Sequence, residues 1–220
     1  MTCALSWSGG KDSTLALDHA LRAGLPVRHL FNIYDGRSGR VRFHGVRREL
    51  IAAQARSLGL DIVQRATDAS GFEAAFLAVL DELAERGVDT VLFGNIHLGD
   101  VRAWYEERTT GRGFTHREPL WGEPPEALVR EFQQRGHRAV IVSVDLEAGR
   151  REWLGRELDE ALLAEILHLE TVDPCGEHGE YHSFVFGGPL FDPELRVRRG
   201  ATREEEGHQL LDLTLDGSSP

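Results

Sequence analysis

The first half of the chain alternates between short apolar runs and amphipathic stretches. Apolar runs typical of buried strands occupy residues 3–7, 27–33, 60–65 and 88–93. Between these runs, apolar residues recur at helical spacing in residues 13–23, 46–58 and 72–83, and a glycine follows each stretch as a stop signal. Repeated units of this kind predict an α/β fold, with an open parallel sheet covered by helices on both faces as in Rossmann-like proteins.

The helix at residues 72–83 has the clearest boundaries in the sequence. Ser70 and Glu73 have the spacing of a capping box, in which each side chain bonds to a free backbone N–H of the first turn. Gly87 supplies the stop signal beyond the last apolar residue. We therefore expect Ser70 to cap this helix.

The second half is less regular and predicts a smaller C-terminal α+β domain. The stretch 119–128 contains three prolines, which favour a junction, and we expect domains at residues 1–122 and 123–220. Helices are expected at 125–135 and 158–168. Strands are expected at 139–145, 181–187, 194–199 and 209–215, followed by a frayed tail at 217–220.

Charge and composition narrow the classes of function. The formal net charge is −11, whereas a nucleic-acid surface usually needs a basic patch, so we expect no nucleic-acid partner. The sequence has neither a signal-peptide pattern nor a run near the roughly 20 apolar residues that span a bilayer, so we expect a cytoplasmic protein without membrane contact. Cys3 and Cys175 are then expected as free thiols.

The segment LSWSGGKDST, residues 5–14, carries the strongest chemical signal. It lies where the first strand ends and the first helix begins, which is where open parallel sheets bind ligands. Gly9 and Gly10 permit close approach to the backbone, and the free N–H groups of a helix N-terminus favour an anion. Lys11 is the only lysine among 25 basic residues, and we predict that it contacts a phosphate. The alternative is a helix cap with a tight turn.

SGGKDS after a first strand resembles the pyrophosphatase loop (PP-loop) of the ATP pyrophosphatases, also called adenine nucleotide alpha hydrolases. The resemblance implies the HUP class of Rossmann-like fold. Those enzymes split ATP between the α and β phosphates and adenylate a carbonyl or carboxyl oxygen. Amide ligases, tRNA thiolases and sulfate-reducing enzymes share the loop.

Two further stretches carry clustered polar groups. In residues 93–107, polar side chains follow the fourth strand, although a solvated helix with internal ion pairs has the same pattern. In residues 173–191, acids and an imidazole occupy a glycine-bounded turn before a strand. Such a turn can bind an amine, a carboxylate or a metal, or transfer protons, and a surface turn with a half-exposed histidine remains the alternative. Strand alternation would place Glu180, His182 and Phe184 on one face.

GEHGEYHSFV, residues 176–185, is similar to the motif of the diphthine–ammonia ligase family. Residues 41–60, 99–106 and 119–121 match the same family in order, so that the resemblance covers most of residues 1–195. Ser183 stands where the family commonly has threonine, and His178 where asparagine is frequent. The family adenylates a carboxylate on a modified histidine of an elongation factor, and ammonia then displaces AMP to give the amide.

The resemblance implies ATP and Mg²⁺ as cofactors and a set of residues for each part of the reaction. The nucleotide is expected at Ser8, Gly9, Gly10, Lys11, Asp12, Ser13, Ile33, His44, Gly94 and Asn95. The acceptor is expected at Asp100, Arg102, Glu106, Glu177, Gly179, Glu180, His182 and Ser183. The catalytic residues are expected to be Lys11, Asp12, Glu180 and His182, with Asp12 also placing the metal.

The expected partners are ATP, ammonia and a carboxylate-bearing small molecule or protein, with a homodimer left open. Two other functions also remain open. A tRNA-modifying PP-loop enzyme is one, but thiolases of this class usually need paired catalytic cysteines, and Cys175 has no evident partner in the sequence. A non-catalytic adenine nucleotide sensor is the other, and it would retain ATP intact.

Overall fold

The computed structural model describes residues 1–68 and 70–217, and it confirms the predicted α/β fold. The first half contains, in chain order, β1 (Cys3–Ser6), α1 (Lys11–Arg22), β2 (Val27–Asp35), β3 (Arg40–Val41), α2 (Arg48–Ser57), β4 (Asp61–Thr67), α3 (Phe72–Glu85), β5 (Thr90–Leu92), α4 (Gly99–Thr110) and β6 (Thr115–Arg117). The second half contains α5 (Pro125–Gln134), β7 (Arg138–Asp145), a 3₁₀ helix (Arg151–Trp153), α6 (Glu160–Leu167), β8 (Tyr181–Gly187), β9 (Val197–Glu205) and β10 (His208–Leu215).

The first sheet is parallel in the order β4–β2–β1–β5–β6, and the short β3 pairs antiparallel with the end of β2. Leu5 in the central strand lies opposite Leu30 on one side and Leu92 on the other. This register brings the carboxyl ends of β1, β2 and β5 to one edge of the sheet. Ligands of open parallel sheets bind at such an edge.

Both faces of this sheet are covered, as the continuous apolar strands require. Ala4 faces a cluster with Phe76 and Leu80 of α3, whereas Leu5 on the opposite face belongs to a cluster with Leu15 of α1. Neighbouring residues of a strand point to opposite faces, so one buried strand is enough to hold helices on both sides.

The second sheet is antiparallel in the order β8–β7–β10–β9 and belongs to the same hydrophobic cluster as α1 and α2. α5 packs against both α1 and α6, and β8 packs against α1. Val185 of β8 donates its backbone N–H to the carbonyl of Gly9 at 2.9 Å. The second sheet therefore contacts the loop between β1 and α1 directly. The domain boundary after residue 122 stays a prediction.

Several local predictions were wrong. The N-cap of α3 is Gly71 without a side-chain cap, because both the hydroxyl and the N–H of Ser70 donate to Asp68. β3 and β6 were missed because two- and three-residue strands carry no readable period. β9 begins and ends later than residues 194–199 because its side chains are mostly exposed and lack alternation. The predicted tail falls, beyond Gly217, outside the described residues.

Within residues 1–68 and 70–217, no helix has the length and apolar character needed to cross a membrane.

Candidate functional site

A cleft of about 200 Å³ lies at the carboxyl edge of the parallel sheet. Most of its lining comes from the loop and first turn of α1, from the residues that follow β5, and from the segment before β8 (residues 173–180) with the start of β8. His44 and Tyr105 complete it. The structure thus gathers most of the predicted site residues, namely Ser8, Gly10, Lys11, Asp12, Ser13, His44, Gly94, Asn95, Glu177, His182 and Ser183.

The two glycines of the loop are required by the packing around them. Gly9 has a φ of +83°, and a Cβ there would lie 2.6 Å from Cδ1 of Ile51 and 2.7 Å from Oε1 of Gln54. A Cβ on Gly10 would come within 3.1 Å of the His44 ring and 3.2 Å of the Ser183 carbonyl oxygen. Larger residues would therefore displace the loop from α2 and β8.

Hydroxyl groups fix the start of α1. Ser8 Oγ accepts a hydrogen bond from the Gly10 N–H at 3.3 Å, and Ser13 Oγ donates to the Gly10 carbonyl at 3.0 Å. Ser183 Oγ accepts from the Lys11 N–H at 3.2 Å and is buried. Ser183, predicted to bind the acceptor, thus positions the helix start. First-turn N–H groups have no partner inside a helix, so this terminus can receive an anion.

Lys11 is almost fully buried, with 4% exposure. Its Nζ donates to Asp12 Oδ2 at 2.9 Å and to the Cys175 carbonyl, and it lies 4.9 Å from the centre of the Tyr181 ring. Burial alone would lower the pKa of Lys11, but the Asp12 carboxylate, together with Tyr181 and Cys175, holds this pKa well above its ordinary value. The ammonium group is therefore charged, and its third N–H can serve a ligand.

The two acids of the cleft have raised pKa values. Burial raises the pKa of Asp12, although Lys11 opposes the shift. Burial, reinforced by the Asp12 carboxylate, raises the pKa of Glu177 to about 7. Near neutral pH Glu177 can therefore either donate or accept a proton. Mg²⁺ binds through one or two carboxylates together with phosphate oxygens, and Asp12 at the mouth of the loop fits that donor set.

The raised pKa of Glu177 predicts a pH-dependent stability. Between its ordinary pKa of 4.5 and about 7, the folded protein keeps a proton that the unfolded chain releases. We therefore expect the wild type to lose stability relative to Glu177→Gln as the pH rises from about 5 to about 8. The quantity compared is the free energy of unfolding of each protein. Urea unfolding of both proteins across this range measures the difference. A flat difference would show that Glu177 titrates normally.

Two neutral imidazoles stand beside the loop. The rings of His44 and His182 are 4.4 Å apart, centre to centre. Burial lowers the pKa of His44 to about 4, and burial with the neighbouring His44 lowers the pKa of His182 well below its ordinary range. Each ring is therefore neutral at pH 7 and offers one hydrogen-bond donor and one acceptor.

Glu180 and Gly179 do not line the cleft. The Glu180 carboxylate is 2% exposed and accepts hydrogen bonds from the backbone N–H groups of Asp173, at 2.8 Å, and His178, at 3.1 Å. β8 begins only at Tyr181, so the predicted strand face with His182 does not include Glu180. Glu180 therefore organises the turn instead of facing a substrate.

The three polar residues predicted on α4 also lie outside the cleft. Arg102 forms ion pairs with Glu118 at 3.4 Å and with Glu106 at 3.6 Å, and its guanidinium covers the Trp121 ring at 4.5 Å. Asp100 is exposed in the first turn of the helix. This arrangement matches the alternative of a solvated helix with internal ion pairs.

An apolar pocket of about 340 Å³ adjoins the cleft and shares Ser8, His44 and Tyr105 with it. Ile33, at the end of β2, lines this pocket together with aromatic rings, namely Phe31, Phe43, Phe72 and Phe76. Asn95 lines the cleft but not this pocket, and its Nδ2 donates to Glu118 Oε1 at 2.7 Å. An apolar pocket beside a loop that can receive an anion suits a nucleotide, whose base is joined to phosphates.

The sequence reasoning missed Gln54, which is fully buried behind the loop. Its Nε2 donates to the carbonyls of Gly9, at 3.0 Å, and Val185, at 2.6 Å, and its Oε1 accepts from the Trp7 indole at 2.8 Å. Gln54 therefore joins β1, the loop, α2 and β8. A polar residue four positions after Leu50, on the apolar face of a helix, is the signal that could have identified it.

Gln54→Leu should lower the free energy of unfolding by about 1–3 kcal/mol, since it leaves buried polar partners unsatisfied. Gln134→Leu is the matched control, because Gln134 is exposed at the end of α5. Urea unfolding compares the two variants. Equal stabilities would show that the Gln54 hydrogen bonds contribute no net stability.

Comparison with known proteins gives the family. The models described as "Diphthamide synthase N-terminal domain" and "Diphthamide synthase C-terminal domain" match residues 1–114 and 124–213. The diphthine–ammonia ligase of Schizosaccharomyces pombe is 27% identical over 212 residues, covering 86% of this chain and 34% of that protein. The Homo sapiens protein of the same name is 36% identical over 81 residues, covering 36% and 30%. The chain spans about a third of the length of these relatives.

A solved structure from Methanocaldococcus jannaschii, described as a predicted subunit of tRNA methyltransferase, is also similar. Its TM-score is 0.50 at 19% identity, with 86% of this chain and 97% of that chain covered. At that identity the likeness supports the fold alone. The two family models together match most of the chain and confirm the resemblance found in the sequence: the chain belongs to the diphthamide synthase family.

Proposed function

We propose that this protein is an ATP-dependent ligase that adenylates a carboxylate and then amidates it with ammonia, releasing pyrophosphate and AMP. The observation that carries the proposal is the cleft itself. It joins an anion-binding helix start with a buried ammonium to a segment that bears a carboxyl group and a neutral imidazole. The ligase names of the curated relatives support the same class of reaction.

The nucleotide would occupy the loop and the adjoining pocket. The phosphates would take the first-turn N–H groups of α1 that follow Lys11 and the third N–H of the Lys11 ammonium group, and the adenine would lie in the apolar pocket at Ile33. Asp12 would hold Mg²⁺, which neutralises phosphate charge when bound. Gly94 packs against the backbone of Asp12 and Ser13, so β5 would support the loop during catalysis.

The acceptor would enter between the loop and the segment before β8. Its carboxylate oxygen forms a bond to the α-phosphorus as the bond to pyrophosphate breaks. Ammonia then attacks the acyl carbon, AMP leaves, and the nitrogen loses a proton. The neutral His182 ring or ionised Glu177 can accept that proton, because both line the cleft. Glu180 and Ser183 act as positioning residues through the turn and the loop.

The cysteines favour a ligase over a thiolase. Cys3 and Cys175 are free and buried. Burial, with the Asp12 carboxylate nearby, raises the pKa of Cys175, so its thiol stays protonated. A nucleophilic cysteine needs the opposite shift.

Oxygen-18 transfer tests the proposal. The full chain is incubated with ATP, Mg²⁺ and ammonium, and with acceptors labelled at the carboxylate: diphthine on an elongation factor, and a panel of small carboxylic acids. We expect AMP, pyrophosphate and amide in equal amounts, with one labelled oxygen in AMP. Formation of ADP and phosphate would contradict the proposal, as would bound but intact ATP with every acceptor. The second result would favour the nucleotide sensor.

A further inference from the structure

Two histidines and an aspartate converge beside the cleft, outside the residues assigned above. His97 follows β5, and Asp173 and His178 lie in the segment before β8. One donor atom from each lies within 4.8 Å of the others. His97 Nε2 is 3.6 Å from Asp173 Oδ2, and the two imidazole rings are 5.8 Å apart, centre to centre.

The hydrogen bonds of Asp173 orient its carboxylate and leave one oxygen available to a ligand. Its side chain is only 10% exposed, and Oδ1 accepts hydrogen bonds from the N–H groups of Cys175, at 2.7 Å, and Glu177, at 3.4 Å. Oδ2 is left facing His97 at 3.6 Å, which is too far for a hydrogen bond. A buried carboxylate oxygen aimed at an imidazole at this distance leaves room for an ion to join them.

Glu180 fixes two of the three residues at once. Its carboxylate binds the backbone N–H groups of both Asp173 and His178, which sets their spacing across the turn. His97 and His178 are exposed, so an ion can reach them from solvent. The third residue, His97, lies in the loop after β5, so the candidate site lies between two loops.

We propose that His97, Asp173 and His178 bind a divalent transition-metal ion of the Zn²⁺ class. Two imidazoles and one carboxylate favour Zn²⁺ over Mg²⁺ or Ca²⁺, which prefer all-oxygen sites. Bonds of about 2.0–2.1 Å place neighbouring ligand atoms of a tetrahedral site roughly 3.3 Å apart. The His97–Asp173 pair at 3.6 Å needs only a small closure, and the pairs with His178, within 4.8 Å, need up to about 1.5 Å. Three protein ligands leave one position open for water or another ligand.

The ion would tie together two walls of the cleft. His97 lies two residues after Asn95, and Asp173 and His178 flank Cys175 and Glu177, which line the opposite side. Metal binding would therefore fix the distance between the β5 loop and the segment before β8. This site is separate from the Mg²⁺ expected at Asp12 and does not rest on the proposed function.

Metal titration of the full chain without nucleotide tests the site. We expect one Zn²⁺ per chain by calorimetry, a rise in Tm, and visible absorption of Co²⁺ typical of a four-coordinate ion. His178→Asn and His97→Asn should each weaken Zn²⁺ binding by more than about tenfold, since even outer partners of metal ligands contribute that much. His168→Asn is the control, because His168 is exposed at the end of α6.

The result has clear opposing outcomes. Loss of binding in the His97 and His178 variants, with wild-type Tm values in the absence of metal, supports the site. Unchanged binding in either variant overturns it, and so does wild-type protein that takes up no ion. Equal loss in His168→Asn would show adventitious surface binding and would also overturn it.

Discussion

Lys11→Ala is expected to lower kcat/KM for pyrophosphate release by about 10²–10³-fold, the usual cost of removing one preorganised donor from a site where charge develops. Lys11 is the buried cation of the cleft, and the Asp12 carboxylate keeps its pKa high, so it remains charged at every pH of interest. In water such a charge would be screened. Inside the cleft it would act at short range on the phosphates of the proposed nucleotide.

The effect should fall on turnover more than on folding. Lys11→Ala breaks the contacts with Asp12 and the Cys175 carbonyl, but the Asp12 side chain is 25% exposed, so water can solvate the carboxylate that is left unpaired. Arg22→Ala is the matched control, because Arg22 is a cation on the same helix with 61% side-chain exposure. It should retain wild-type rates. Steady-state kinetics and urea unfolding together separate the two effects.

Lys11→Arg tests why a chain rich in arginine has a lysine here. The side chain is enclosed by the Tyr181 ring, the Cys175 carbonyl and Asp12, and a planar guanidinium needs more room than an ammonium group. We expect Lys11→Arg to be nearly as impaired as Lys11→Ala. Wild-type rates in Lys11→Ala would contradict the proposed contact between Lys11 and phosphate. Full activity in Lys11→Arg alone would contradict only the hypothesis that arginine does not fit the site.

The parallel sheet and the glycine-rich loop at its carboxyl edge could be predicted from the sequence because both depend on local patterns. Buried strands appear in the sequence as apolar runs, and a glycine-rich turn between a strand and a helix favours an anion site. Family resemblance added the segment before β8, which lies far away in the chain. Local patterns alone could not have placed Cys175 or Tyr181 against Lys11.

The sequence could not show where individual side chains point. Glu180 looked like an acceptor residue because it is an acid in a glycine-bounded turn, yet its carboxylate is used by the backbone of that turn. Arg102 was assigned to the acceptor by position, yet α4 directs it to Glu118 and Trp121. Gln54 was passed over because its partners come from three distant segments. Contacts made on folding decide all three cases: they lie within the turn for Glu180 and between distant segments for Arg102 and Gln54, and periodicity carries no information about them.

Gly9→Ala should be the most destabilising substitution in the loop, with a loss of about 2–5 kcal/mol in the free energy of unfolding. A left-handed φ costs an alanine about 1–2 kcal/mol, and forcing a methyl group into a packed core costs about 1–3 kcal/mol more. The added Cβ would lie 2.6 Å from Ile51 Cδ1 and 2.7 Å from Gln54 Oε1. Urea unfolding measures the loss, and nucleotide titration measures the effect on the loop.

Gly24→Ala separates the two contributions. Gly24 has a similar φ of +74°, but a Cβ there would meet nothing within 4 Å. It should lose only the backbone part, about 1–2 kcal/mol, and keep its affinity for ATP. Ile51→Val, which removes the Cδ1 atom, should partly restore Gly9→Ala but not Gly24→Ala. If both alanine variants lost the same stability, the contacts with α2 would not explain the glycine at position 9. The left-handed backbone conformation alone would then require glycine in the loop between β1 and α1.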